Sequence, residues 1–388
     1  MKNPLSRGSR YLALASLTAA VGLAGAGALR AECGPFADVG LGPPNFCPFV
    51  LQLYYLGITA GTSATTYSPA TAIPREQMSA FIARGFDQAV RRGSPRAALD
   101  QWWSPQNELA MGATPISDAE AVASDGADLW VARGFPTHRV TRVRASDGQP
   151  LGTWDGAIRA TAVVVAMGRI FVAGNTNPGT LYRIDPTLPA GDVTTVAADL
   201  GEFPLDVAFD GSRFWTANSE GSVSIVTPAA SLPWPATTVT AGFDFPFGIA
   251  FDGRNIWVAD ADVGLLKLDA DGAVVQTVPI ATPVSVVFDG ANLWVPNNVS
   301  ELTVVRASTG VILQTLTGNG LDGVEGVAFD GQRILVANRE GRSVSLWKAA
   351  DLTPLGSFPT GAASQPRGVC SDGLHFWIAA DSGGLIRF

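Results

Sequence analysis

Residues 323–338 read GVEGVAFDGQRILVAN, and a version of this stretch returns throughout the C-terminal three quarters of the chain. The copies are AEAVASDGADLWVAR (119–133), ATAVVVAMGRIFVAG (160–174), PLDVAFDGSRFWTAN (204–218), PFGIAFDGRNIWVAD (246–260), PVSVVFDGANLWVPN (283–297), VEGVAFDGQRILVAN (324–338) and PRGVCSDGLHFWIAA (366–380). These seven copies stand roughly forty residues apart. Strand-patterned units at that period stack as blades of one propeller rather than as separate domains.

One copy can be read physically. Gly326 to Phe329 is short, apolar and β-prone, and Asp330-Gly331 after it signals a hairpin, because glycine accepts the positive φ of a primed turn. Ile334 to Ala337 is a second strand, and Asn338 with Gly341 makes the next turn. Ser343 to Lys348 alternates polar and apolar residues as a third strand nearer to solvent, and Leu355 to Pro359 is a fourth. The copy at 246–260 continues likewise through Leu265 to Leu268, the turn Asp271-Gly272, and Val274 to Val278. Trp130, Phe171, Trp215, Trp257, Trp294 and Trp377 share one place in the second strand, with Leu335 standing in for the aromatic. An aromatic in nearly every blade predicts core packing between sheets, not a sugar-stacking surface. The last copy ends at Gly384 to Phe388, its third strand, so the ring is expected to close with Asn107 to Thr114 as the missing outer strand.

The N-terminus reads differently. Lys2, Arg7 and Arg10 precede an apolar run from Tyr11 to Ala28, and small residues end it, with cleavage expected after Ala28 or Ala31. Residues 1–31 are therefore read as a signal peptide, 32–95 as a small module, 96–105 as a linker and 106–388 as the propeller. A net charge of −8, with only 15% charged residues and no basic run past the signal, excludes nucleic acid as a partner. No second apolar run is long enough to span a membrane, so no membrane span is expected after signal removal. In an exported chain Cys33 and Cys47, close in sequence, are expected to form a disulfide, and Cys370 to be a small buried hydrophobe. In the linker, Trp102 and Trp103 are too apolar to stand free in solvent and are expected to dock on one of the folded parts.

Between 36 and 86, Phe49, Val50, Leu53 and Leu56 recur with helical spacing, as do Met78, Phe81, Ile82 and Phe86, around a loop rich in Gly, Ser and Thr. With Phe36-Ala-Asp38-Val39, Leu56-Gly-Ile-Thr-Ala-Gly61, Tyr67-Ser-Pro69 and Pro74-Arg-Glu-Gln-Met78 in order, this segment resembles an S-layer homology module. The resemblance implies attachment to cell-wall polysaccharide on the bacterial surface, and it assigns Asp38, Arg75 and Glu76 to the polymer contact. The plainer reading of the same residues is that Asp38 and Glu76 cap helices and Arg75 is a solvated first-turn residue. Pro74 stands where the family usually has a capping Thr, and Thr62 and Ser68 stand where a Cys-containing version has a further pair. Only one module is present.

The propeller sequence is similar to the seven-bladed NHL, YVTN and virginiamycin B lyase-like group. Lyase chemistry in that group implies a metal and a histidine base, and a lactonase implies converging carboxylates around calcium or magnesium at the pore. This chain offers only His138 and His375, neither in a metal-ligand spacing. Asn175, Asn218, Asp260, Asn297 and Asn338 recur after the second strand beside Gly-containing turns, which reads as turn chemistry. No catalytic residue, metal ligand or cofactor is therefore expected. A platform for a protein or small-molecule ligand is the first reading, and a lactonase or lyase with a divalent metal at the pore the second.

One register of the repeat breaks its own rule. Five residues before the turn Asp, or its equivalent, the copies carry Thr161, Leu205, Phe247 and Val284, but also Glu120, Glu325 and Arg367. Ring closure makes those last three blades neighbours, with Asp118 close by. Two readings stay open: a salt bridge between blades on the pore rim, or Arg367 held as a fork for an anionic or polyhydroxylated ligand.

Overall fold

The structure, a computed structural model, describes residues 112–361 and 364–388 throughout, together with scattered residues of 36–82. Contacts divide the chain into two compact units, Met1–Ala97 and Ala98–Phe388. Among the described residues no helix is long and apolar enough to cross a membrane.

The second unit is a seven-bladed propeller. In blade 4, Pro246–Phe251, Ile256–Asp260, Gly264–Leu268 and Val274–Val278 run antiparallel from the axis outward. The other blades repeat this order, and each innermost strand packs against those of its two neighbours, blade 7 meeting blade 1. Blade 7 supplies only Pro366–Ser371, Phe376–Ala380 and Gly384–Arg387 from the C-terminus. Its fourth strand is Gly112–Thr114, with Gly112 opposite Arg387 and Thr114 opposite Leu385, so the ring closes as the sequence predicts. Residues 107–111 of the expected closing strand lie outside the described residues. The Thr114 hydroxyl also donates to the Gly148 carbonyl of blade 1, 3.0 Å away.

The repeat's signature residues do two jobs together. Trp257 of blade 4 lies in one buried cluster with Leu293, Val295 and Val305 of blade 5, and Trp294 in another with Ile334, Val336 and Trp347 of blade 6. Each indole so seals its blade against the next. The Asp of the Asp-Gly turn uses Oδ1 to accept the backbone N–H groups two and three residues on, as Asp252 does from Arg254 and Asn255 at 2.8 and 2.6 Å. Its Oδ2 accepts the indole N–H, 2.7 Å for Trp257 on Asp252 and 2.8 Å for Trp215 on Asp210. The bond satisfies the donor that a buried Trp brings with it. In blade 2, Phe171 has no such donor and the turn, Met167-Gly168, has no Asp. In blade 6, Leu335 replaces the Trp and Asp330 instead pairs with Arg333 at 2.8 Å. Glycines of these turns hold the left-handed conformation, as at Gly253 (φ +88°) and Gly331 (φ +100°).

The side chains after the second strand behave as turn chemistry predicts. Asn218 donates to the hydroxyls of Ser222 and Ser224, and buried Asp260 accepts the N–H groups of Asp244 and Phe245.

In the N-terminal unit, Phe36 is buried with Val39, Cys47 and Val50, its ring against Tyr54 and Tyr67 at 5.0 and 5.2 Å. Asp38 accepts the Tyr67 and Ser68 N–H groups at 2.8 and 2.6 Å, and these bonds hold its carboxyl below the usual range although desolvation works against them. Thr62 and Ser68, in place of a cysteine pair, share a hydroxyl hydrogen bond of 2.7 Å. The two expected helices, Trp102-Trp103, and the residues Cys33, Arg75 and Glu76 fall wholly or mostly outside the described residues. Cys370 is free. The expected Cys33–Cys47 bridge would close a loop of about fifteen residues and would be worth on the order of 3 kcal/mol. Non-reducing mass spectrometry is expected to find that bridge, and two alkylatable thiols besides Cys370 in the native protein would refute it.

Candidate functional site

The position that breaks the repeat lines the propeller's central channel in every blade. Glu120, Thr161, Leu205, Phe247, Val284, Glu325 and Arg367 all face a cavity of about 300 Å³. One residue further in, the strands crowd each other and side chains are small: Ala121, Ala162, Gly248, Ser285, Gly326 and Gly368. A Cβ on Gly326 would meet the Arg367 carbonyl at 2.1 Å, and one on Gly368 the Ala121 Cα at 2.6 Å. Asp206 of blade 3 is the exception in this register. Below it Val122, Val163, Val286, Val327 and Val369 form an apolar belt.

Glu120, Glu325 and Arg367 meet, as ring closure requires. The Arg367 guanidinium is hydrogen-bonded through Nη1 to Glu120, and its Nε lies 3.7 Å from Glu325. Two further residues, not anticipated from the sequence, complete the group. Asp381 comes within 3.2 Å of Arg367 Nε, and Arg339 within 3.3 Å of Glu325 and 3.9 Å of Asp381. Both sit just past the second strand, in blades 7 and 6. The corresponding residue of blade 1 is Gly134, where any side chain would press on Glu120 Cγ at 2.9 Å.

Asp118, expected close by, does not line the channel; its charge acts on Arg133, whose guanidinium bonds to Ser117. The sequence places Asp118 two residues before Glu120, but at Asp118 the backbone turns through φ +59° before the strand begins.

Burial raises the pKa of Glu120, and although Arg367 opposes this, the neighbouring Asp381 adds to it. Glu325 is raised for the same reasons, burial first, with Arg367 and Arg339 opposing. Burial works against the Arg367 charge, but Glu325, Glu120 and Asp381 outweigh it and raise its pKa. The guanidinium therefore stays charged at the centre of three carboxylates.

The opposite side of the mouth, in blades 3 and 4, is apolar. Leu205 and Phe247 line it, with the Phe245 ring tilted at 45° to that of Phe247 and 6.2 Å from it. Asp206, half-buried, lines the channel beneath them. Its carboxylate accepts the N–H of Val207 and of Ile249 in blade 4, at 2.8 and 2.9 Å. Burial outweighs those bonds and raises its pKa to about 6.

A divalent cation does not fit the clustered acids, because the Arg367 guanidinium occupies the point on which their oxygens would have to converge. Among the described residues no group of three or more His, Cys, Asp and Glu is arranged to hold a metal. Neither histidine lines the channel: His138 Nδ1 accepts the Arg159 N–H at 3.0 Å, and His375 lies 3.5 Å from Asp372 in the inter-strand turn of blade 7. Burial, with a smaller contribution from Asp372, pushes the Cys370 thiol far above its ordinary range, and the residue packs on the core between blades 7 and 1.

Residues 35–79 match the S-layer homology domain. No curated protein matches the chain. Among solved structures the chain is similar to the WD40 β-propeller domain of Doa1, with a TM-score of 0.59 and 14% identity, covering 72% of this chain and 94% of that one. At that identity the likeness shows the fold alone.

Proposed function

We propose that this protein is a binding platform attached to the bacterial cell envelope. Residues 1–31 direct export, 32–95 hold cell-wall polysaccharide, 96–105 link the parts, and the propeller of 106–388 presents its channel mouth to a ligand. The S-layer homology domain at 35–79, joined to a propeller, is the observation that carries this reading. Such domains bind cell-wall polymers. Arg75 and Glu76 carry the polymer contact by resemblance. Asp38 joins them by the same resemblance, and its two hydrogen bonds to the Tyr67 and Ser68 N–H groups also hold that loop in shape.

At the channel mouth, ion pairing between blades and ligand binding are compatible. A group in which Arg339, Arg367 and three carboxylates fix one another is also a pre-organised wall for whatever enters. The lactonase or lyase alternative asks for a metal at the pore, and a lyase also for a histidine base; the donor arrangement described above supports neither.

Anchoring is tested by sedimentation with purified cell-wall material. The mature full chain is expected to co-sediment weakly, since a single module has no avidity, and a chain lacking 32–95 to stay in solution. Equal sedimentation of both rejects the anchoring role.

A further inference from the structure

We propose that the channel mouth binds an organic cation with an apolar body, an ammonium group carried on a short aliphatic or aromatic chain. This rests on the reading of the propeller as a binding platform and names the ligand's chemistry.

Charge is the first argument. The titratable residues lining the channel are Glu120, Asp206, Glu325 and Arg367, three acids against one base. Adding the flanking Asp381 and Arg339 gives four acids against two guanidiniums. Both guanidiniums already face carboxylates within the cluster, so no positive charge is left over for an anion. An anionic ligand would enter a field of its own sign. This decides against one of the two ligand classes that the sequence leaves open for Arg367.

Asp206 is the second argument. It faces the cluster from the other side of the axis, since blade 3 stands across the ring from blades 6 and 7. Its hydrogen bonds are to two backbone N–H groups, and it has no cationic partner among the described residues. Every other blade has Ala, Ser or Gly in this register, so the fold does not require a carboxylate there. A lone carboxylate in a poorly solvated channel is unfavourable until a cation reaches it.

The surroundings set the rest of the ligand. Leu205, Phe247 and Val284 line the mouth beside Asp206, and the valine belt closes the channel beneath. A phenyl ring and a carboxylate lining one cavity favour an organic ammonium through cation–π attraction and apolar contact. A cavity of about 300 Å³ lies at the small end of the range for small-molecule sites. The separation of Asp206 from the acids of blades 1, 6 and 7 suits one extended cation better than a metal ion, which needs its oxygens gathered at a point.

The test is calorimetric titration of the mature full chain with phenethylammonium, 2-phenylethanol and 3-phenylpropionate, matched probes that are cationic, neutral and anionic. Phenethylammonium is expected to bind at least about tenfold more tightly than the others. Asp206→Asn is expected to weaken it by about tenfold or more, and Phe247→Ala to weaken it also while leaving the ion cluster intact. Thermal melts report whether each variant is folded, and if Asp206→Asn is not, Phe247→Ala and the ranking of probes still decide. Preference for the anion or the neutral probe overturns the cation assignment and, if Arg367→Ala abolishes it, leaves the channel as a binding site for another class. Absence of binding by all three at roughly 10 mM overturns the proposal, and the sedimentation test of anchoring is unaffected by that result. Unchanged phenethylammonium binding in a folded Asp206→Asn protein overturns it too.

Discussion

Deleting residues 106–114 is expected to lower the melting temperature of the propeller by on the order of 10 °C and to make it aggregate. Gly112–Thr114 is the fourth strand of blade 7, paired residue for residue with Leu385 to Arg387. Its removal costs about three ladder hydrogen bonds at roughly 1 kcal/mol each, plus the Thr114 bond to blade 1. For a domain of this size each kcal/mol lost moves the melt by about 2–4 °C. The deletion also bares the edge of Gly384–Arg387, whose unpaired N–H and C=O groups offer a template to other chains. Differential scanning calorimetry and light scattering follow both effects. A deletion protein that melts with the parent and scatters light no more than it does would remove closure by this strand as a source of stability.

That closure was legible because blade 7 runs out of sequence at its third strand, and a ring that needs four strands per blade has one place to find the fourth. The repeat itself was legible for a related reason: Asp-Gly turns and second-strand aromatics answer to local rules of φ and burial that each copy must meet alone. Departures from a repeat are equally readable, but only in the register inspected. Reading the position of Glu120, Glu325 and Arg367 found the core of the ion cluster. Asp206 departs just as sharply one residue further along, where the other copies carry Ala, Ser or Gly. Arg339 and Asp381 stand where the remaining copies carry Gly134, Asn175, Ser219, Ala261 and Asn298. There the copies differ too much among themselves for an Arg or an Asp to stand out, and only the folded ring shows that Asp381 reaches Arg367 and Arg339 reaches Glu325 and Asp381. Asp118 shows the opposite limit. Nearness in sequence to Glu120 did not bring it to the channel, because the chain turns between them. The N-terminal module was legible through resemblance, by its short signatures in order, and the polymer contact at Asp38, Arg75 and Glu76 rests on that resemblance alone.

The pairing of turn Asp with second-strand Trp was present in the sequence as a correlation, since Asp and Trp occur together in five copies and are both absent from blade 2. It carries the largest single-residue prediction. Trp377 is almost fully buried, clusters with Leu129, Val131 and Val143 of blade 1, and so seals the seam at which the ring closes. Its indole N–H bonds to Asp372 Oδ2 at 2.7 Å, while Oδ1 accepts the Leu374 and His375 N–H groups, also at 2.7 Å. Trp377→Ala is expected to cost about 3–5 kcal/mol in denaturant unfolding, the range for emptying a large aromatic site. Trp377→Phe keeps most of the packing and strips Asp372 of one donor, for about 1–3 kcal/mol. Asp372→Ala leaves a buried indole N–H and two turn N–H groups without their acceptor and is expected to cost as much or more. A double-mutant cycle between Trp377→Phe and Asp372→Ala should show coupling of about 0.5–3 kcal/mol. Strict additivity would mean the hydrogen bond is incidental to the packing. Acid supplies an independent reading of the same bond. Burial pushes Asp372 upward, but His375, the Trp377 indole and the two backbone donors outweigh it and hold the carboxyl at about 2. A folded pKa below the unfolded value of about 3.9 means stability that is present above that value and is lost as the pH falls toward 2. Between about pH 4 and 2, the stability of Asp372→Ala should therefore fall less steeply than that of the parent, and parallel curves would show that the turn carboxylate contributes nothing through its charge.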